Sequence, residues 1–134
     1  MIKEVQIMNY NISESEWKIM RVLWDHPPMP LGELIALVGP ENNWNGNTVR
    51  TLLVRLVEKG TVKAEKQGRN YLYSALAQEN ECVMQETEHF LKRIFDGSPA
   101  RLFAALSAEG KLSERDCQEI EAMLQAMKGR ERHD

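Results

Sequence analysis

Two things are scarce in this 134-residue chain: cysteine and long apolar runs. The two cysteines, Cys82 and Cys117, stand 35 positions apart, make no CxxC and cannot build a disulfide framework. No apolar stretch exceeds five residues, as in Leu34–Val38, whereas a membrane-spanning helix needs about 20. The opening MIKEVQI has one lysine and no apolar core, so it does not read as an export signal. The expected setting is therefore the reducing cytoplasm, with no membrane partner. Catalytic patterns are missing too. There is no Gly-rich phosphate loop, no HExxH, no Ser/His/Asp arrangement and no recognisable pair of working carboxylates. The expectation is a protein that is not an enzyme and carries no cofactor and no metal.

What is present is ordinary globular composition, 43% hydrophobic and 28% charged, with an uneven spread of charge. The whole chain sums to −3. Residues 44–75 hold Arg50, Arg55, Lys59, Lys63, Lys66 and Arg69 against Glu58 and Glu65, a net of +4. Residues 76–134 hold 8 basic and 12 acidic side chains, a net of −4. A local basic patch on an acidic whole suits selective contact with a polyanion.

Periodicity divides the chain further. Residues 1–11 show no period and read as a loose extension. Ser13-Glu14-Ser15-Glu16 matches a capping box, with Ile12 and Trp17 as a hydrophobic staple, and predicts a first helix to about Asp25. His26-Pro27-Pro28-Met29-Pro30 ends it, and Pro30 suits the first position of a second helix. Leu31, Leu34, Ile35 and Val38 form that helix's stripe over about two turns, with Gly39-Pro40 as its stop. After a polar turn around Trp44, the stripe Val49, Leu52, Leu53 and Leu56 predicts a third helix ending at Gly60. Its opposite face carries Asn47, Thr51, Val54 and Glu58, flanked by Thr48, Arg50 and Arg55. The period then becomes two. Val62–Lys66 and Tyr71–Tyr73 alternate around Gln67-Gly68-Arg69-Asn70, a β-hairpin with a basic tip. The remainder is helical, with stripes Leu76/Val83/Phe90/Ile94 and Cys117/Ile120/Leu124/Met127, an apolar patch Leu102/Phe103/Leu106, and a second capping box from Ser113 to Asp116.

The second and third helices form a helix-turn-helix pattern, in which the first residues of the second member meet base edges in the major groove. Here Arg50 can donate two bonds to guanine, and Asn47 can pair with adenine or phosphate. Thr48 and Thr51 offer hydroxyls to phosphate and methyls to thymine. Arg55, a turn further on, suits phosphate. The hairpin acts as a wing, bringing Lys66 and Arg69 to a neighbouring phosphate or the minor groove. A polar helix face alone usually just meets water. The basic hairpin directly after it turns the reading to double-stranded DNA. Trp17, Trp24 and Trp44 read as packing residues, Cys82 as a buried thiol and His89 as a surface imidazole. Glu79, Glu81, Glu86 and Glu88 read as a solvated helix face.

The run Asn47–Leu56 with Glu58-Lys59-Gly60 resembles the recognition helix of the BlaI/MecI/CopY repressors. Ile12–Met20 with Leu23-Trp24 resembles their first helix, and Gly68–Tyr73 their wing. The likeness covers residues 9–127 and is looser in the C-terminal half. It implies a mainly α fold with a small β-hairpin: a winged helix-turn-helix N-terminal domain, residues 9–76, and a helical dimerisation domain, residues 77–128. It also implies a homodimer that represses transcription from a dyad operator. Members that answer β-lactams are cut by a regulatory protease at an Asn-Phe bond; Ala105-Leu106 stands at that place here. The copper-responsive members carry C-terminal CxC motifs, which this chain lacks.

Dimerisation has its own argument, because one helix-turn-helix touches few base pairs. Val83, Phe90, Ile94, Leu102, Phe103, Leu106, Ile120, Leu124 and Met127 exceed what the N-terminal core needs, and a twofold interface is the expected use. Two alternatives stay open at this point: a winged-helix module that docks an acidic protein instead of DNA, and a repressor that answers metals or oxidants.

Overall fold

The computed structural model describes residues 9–133. They form α1 (Glu14–Asp25), α2 (Leu31–Asn42), α3 (Gly46–Glu58), β1 (Val62–Gln67), β2 (Asn70–Ala75), α4 (Glu79–Phe95), α5 (Pro99–Ala108) and α6 (Glu114–His133). Two compact units result, one ending at Glu86 and the other beginning at Thr87, within α4.

In the first unit, both bonds of the α1 capping box are made. The Glu16 N–H donates to Ser13 Oγ at 3.2 Å, and the Ser13 N–H donates to Glu16 Oε1 at 2.9 Å. Ile19, Met20 and Leu23 are buried on the inner face of α1. They meet Leu34 and Val38 of α2, and Val49, Leu52, Leu53 and Leu56 of α3, in one core completed by Met29 and Val62. Burying each such side chain is worth roughly 1.5–3 kcal/mol, which makes this three-helix core the platform that holds the outer face of α3.

The hairpin pairs Val62 with Ala75 through Gln67 with Asn70, leaving a two-residue turn at Gly68-Arg69. Gly68 takes φ +64°, the left-handed value such a turn demands at its first position. Met29 adds an isolated bridge to β2 that sequence reading missed. Its N–H and C=O bond Tyr73 at 3.0 and 2.8 Å. Two positions before Met29, Pro27 lacks the N–H needed to lengthen the bridge, and two positions after it the chain enters α2 at Leu31.

Several expectations need correction. Pro30 is the N-cap of α2 rather than its first residue. Helix α2 is also not stopped at Gly39-Pro40: it runs to Asn42 with Pro40 inside. The missing Pro40 N–H costs only one bond near the helix end. Asn43 then ends the helix in the left-handed conformation, φ 60°, with the Trp44 N–H donating to the Gly39 carbonyl at 2.9 Å. The loose extension expected for residues 1–11 lies outside the described residues up to Met8, and beyond that Tyr10 is buried. Tyr10 packs with Ala77 and Cys82 beside Ile12, Trp17 and Trp24. Leu76, expected to start the α4 stripe, is exposed and precedes the helix.

In the second unit Ser98 caps α5, accepting from the Arg101 N–H at 3.2 Å, with Pro99 at the first position. The expected patch Leu102/Phe103/Leu106 thus lies on a helix. Ser113 and Asp116 form the second capping box, with both bonds at 3.0 Å. No described side chain from Thr87 to Glu131 is fully buried. Phe90 (38% exposed), Ile94, Phe103, Leu124 and Met127 are exposed, as is Val83 of the first unit, while Leu102, Leu106 and Ile120 are half-buried.

Candidate nucleic-acid interface

The third helix starts at a built cap. Asn45 Oδ1 accepts from the Thr48 N–H at 2.9 Å and from Thr48 Oγ1 at 3.2 Å. At its far end Gly60, φ +80°, turns the chain into β1, and Thr61 donates both its N–H and its hydroxyl to the Leu56 carbonyl. Four apolar side chains seat the helix on the core, so its outer face is held rigidly. Asn47, Arg50, Thr51 and Arg55 are exposed there, and Thr48 is half-buried. Lys66 and Arg69 are exposed at the hairpin tip.

The two threonines are less free than their sequence suggests. Thr51 Oγ1 donates to the Asn47 carbonyl at 2.9 Å, and Thr48 Oγ1 donates to its cap. A phosphate only accepts hydrogen bonds, so neither hydroxyl has its proton to spare in this state. Their methyls and lone pairs remain.

The basic segment also has internal commitments. Lys59 Nζ reaches Glu16 Oε1 at 2.5 Å and the Asn11 carbonyl at 2.8 Å. Glu16 is 1% exposed. Burial pushes its carboxyl upward, but the bonds from Lys59 and Ser13 outweigh that and hold it below the ordinary value. Lys63 sits 3.6 Å from Glu65. Arg50, Arg55, Lys66 and Arg69 make no ion pair among the described residues. Four of the six cations therefore remain for a polyanion. The buried pair was missed, yet a signal existed: Glu16 shares the i, i+3, i+4, i+7 stripe of Ile19, Met20 and Leu23, and a carboxylate there needs a cation.

The three tryptophans pack as expected. Trp17 and Trp24 meet edge-to-face at 5.5 Å, and Trp24 Nε1 donates to the Ala77 carbonyl at 2.9 Å. Trp44 is half-buried in the turn before α3, with Lys18 Nζ 5.8 Å from its ring centre. Cys82 is buried, which raises its thiol to about 11, with Glu81 adding to the shift. His89 is exposed, as are Glu79, Glu81, Glu86 and Glu88.

A rigid helix with an outward polar and cationic face, entered through a helix-turn-helix and followed by a basic hairpin, is the working part of a winged-helix DNA-binding protein. The match to a known family agrees with this class. The penicillinase repressor family matches residues 12–126, and the chain belongs to this BlaI/MecI family of DNA-binding transcriptional repressors, which are not enzymes. A relative from Latilactobacillus sakei, an uncharacterised 16.5 kDa protein in the ptsI 3' region, is 33% identical over 86% of this chain and 79% of its own length. The penicillinase repressor of Bacillus licheniformis is 26% identical over 90% of this chain and 94% of its own. The solution structure of the DNA-binding domain of the repressor BlaI is 31% identical with a TM-score of 0.49, covering 53% of this chain and 87% of that one.

Proposed function

We propose that the chain represses transcription as a homodimer on a twofold operator, with α3 of each protomer in the major groove. Residues 9–76 serve as the DNA-binding domain and residues 77–128 as the dimerisation domain. Arg50 and Asn47 read base edges, Thr48 and Thr51 contribute methyl contacts, and Arg55, Lys66 and Arg69 hold phosphates. The observation that carries this reading is the set of four cations, without an ion pair among the described residues, around a helix whose back is sealed into the core. The dimer rests on Val83, Phe90, Ile94, Leu102, Phe103, Leu106, Ile120, Leu124 and Met127. Exposed or only half-buried in one chain, they need a partner surface to leave water. Two half-sites then stand about 34–36 Å apart, one helical turn, or a multiple of that.

Release acts through the C-terminal helices, by proteolysis or by a ligand. Ala105 and Leu106 both lie within α5, where the Glu109 N–H donates to the Ala105 carbonyl at 3.3 Å. Cleavage there requires the helix to open first.

The test is a gel shift on duplexes covering the gene's own upstream region, with Arg50→Ala as the variant. Specific binding should weaken by about 1–3 kcal/mol per half-site with relaxed sequence preference. Equal loss on operator and random DNA would remove the base-reading role. No retardation at low salt by a folded dimer would remove DNA binding and leave the protein-docking module.

A further inference from the structure

We propose that Val54 is a further base-reading residue, one that seats the C5-methyl of an operator thymine; the inference rests on the DNA-binding reading above. Residues at i, i+3, i+4 and i+7 share one helix face, and on α3 the face of Asn47, Arg50 and Thr51 continues to Val54. Val54 is the apolar member of that set and is 49% exposed. The core does not need it, because Val49, Leu52, Leu53 and Leu56 are already buried behind it. A lone exposed valine is unremarkable on a surface. This one borders a groove of 310 Å³ between α3 and the hairpin, lined mainly by apolar side chains such as Val57, Ala64 and Tyr71, with Arg50 and Glu58 as its charged members. A methyl group resting on Val54 therefore meets mainly apolar side chains beside Arg50, which the reading above assigns to base edges. Among the four bases, thymine alone presents a methyl in the major groove. Valine suits the task because its branched side chain is stiff and loses little freedom on contact. Polar reading is limited nearby, since the Thr51 hydroxyl is engaged by the Asn47 carbonyl.

The test needs no knowledge of the natural operator. The full-length protein selects binding duplexes from a random pool, and each thymine of the selected site is replaced in turn by deoxyuracil. That exchange removes the methyl and keeps the hydrogen-bonding edge. One thymine per half-site should weaken wild-type binding about fourfold when replaced, and about fifteenfold when replaced in both half-sites. Val54→Ala, a surface change, should bind the thymine and deoxyuracil duplexes alike at that position. Thr51→Ser serves as the second arm. If every deoxyuracil penalty survives in Val54→Ala, or disappears in Thr51→Ser instead, Val54 does not read the methyl, although DNA binding stands. If wild type selects no sequence at all, the DNA-binding reading falls together with this one.

Discussion

The contact between Glu16 and Lys59 joins the start of α1 to the end of α3, and its removal gives a prediction that can be worked in numbers. Glu16 is the one charged side chain fully buried among the described residues. Its carboxylate has two partners, Lys59 Nζ and the Ser13 N–H. Lys59→Met leaves that carboxylate in the core with only the N–H. Stranding a fully buried charge costs about 3–5 kcal/mol. The Lys59 side chain is 30% exposed, so water reaches the site and about 2–3 kcal/mol is expected. Glu16→Leu loses the return bond of the capping box but frees Lys59 to turn to solvent, at about 1–2 kcal/mol. With both replaced, no charge is stranded and stability should return to within about 1 kcal/mol of wild type. Urea unfolding of the four proteins measures this cycle, with an expected coupling of about 2 kcal/mol or more. The pH dependence has a definite sign. A carboxyl held below its ordinary 4.5 binds a proton more readily in the unfolded chain. The pair's contribution is therefore complete above that value and is lost as pH falls through the lower folded one. Glu16→Gln should flatten the acid limb of the stability curve. Additive single effects, or an acid limb unchanged in Glu16→Gln, would refute the assignment.

Three further outcomes are expected. Gly39→Ala should destabilise by about 1–2 kcal/mol in thermal unfolding, although alanine favours helix, because its Cβ would stand 3.0 Å from the Trp44 carbonyl oxygen; a rise in melting temperature would contradict this. With Arg55, Lys66 and Arg69 of each protomer on phosphates, log Kobs should fall with log salt at a slope of about −5 for the dimer. Lys66→Ala or Arg69→Ala should reduce that slope by about 2, an effect that equal slopes would exclude. Phe90→Ala and Leu124→Glu should convert the dimer to monomer at micromolar concentration in sedimentation velocity, and an unchanged mass would move the interface elsewhere.

Sequence was most informative where a local rule and the tertiary need coincide. The two capping boxes, the apolar stripes of α1 and α3 and the hairpin turn at Gly68 are short-range features, and short-range chemistry settles them. It misled where the fold overrides a local preference. Pro40 reads as a stop, yet the left-handed Asn43 and the Trp44 bond to Gly39 carry the helix past it. Met29 reads as part of a proline-rich break, yet its backbone is the one segment there able to pair with Tyr73. At the site, the face of α3 was legible from period alone, but the availability of its groups was not. Which hydroxyls are spent and which lysine is internally paired depends on atoms brought together from up to 48 positions away, as Asn11 and Lys59 are. Counting charge along residues 44–75 therefore overstated the free basic patch by Lys59, whose partner Glu16 lies outside that segment, whereas Glu65, beside Lys63, was already subtracted.

That reduced patch bears on how release works. Four cations that make no ion pair among the described residues would give one protomer a modest hold on one half-site, and two linked protomers would bind far more tightly because the second contact becomes intramolecular. On the proposed dimer, operator affinity therefore hangs on helices that bury no described side chain of their own between Thr87 and Glu131. Pairing and ordering of that segment are then coupled, and its stability rises with protein concentration. A signal acting on α5 or α6 need not reach α3 at all. Loosening the pair lowers occupancy of both half-sites at once, while each recognition helix stays seated on its core. Leu124→Glu should thus abolish operator binding at concentrations where Arg50 and the rest of α3 are intact, and a forced covalent link between protomers outside the interface should restore it. If the linked variant still failed to bind, the helices would be shaping the DNA-binding face itself rather than only pairing it.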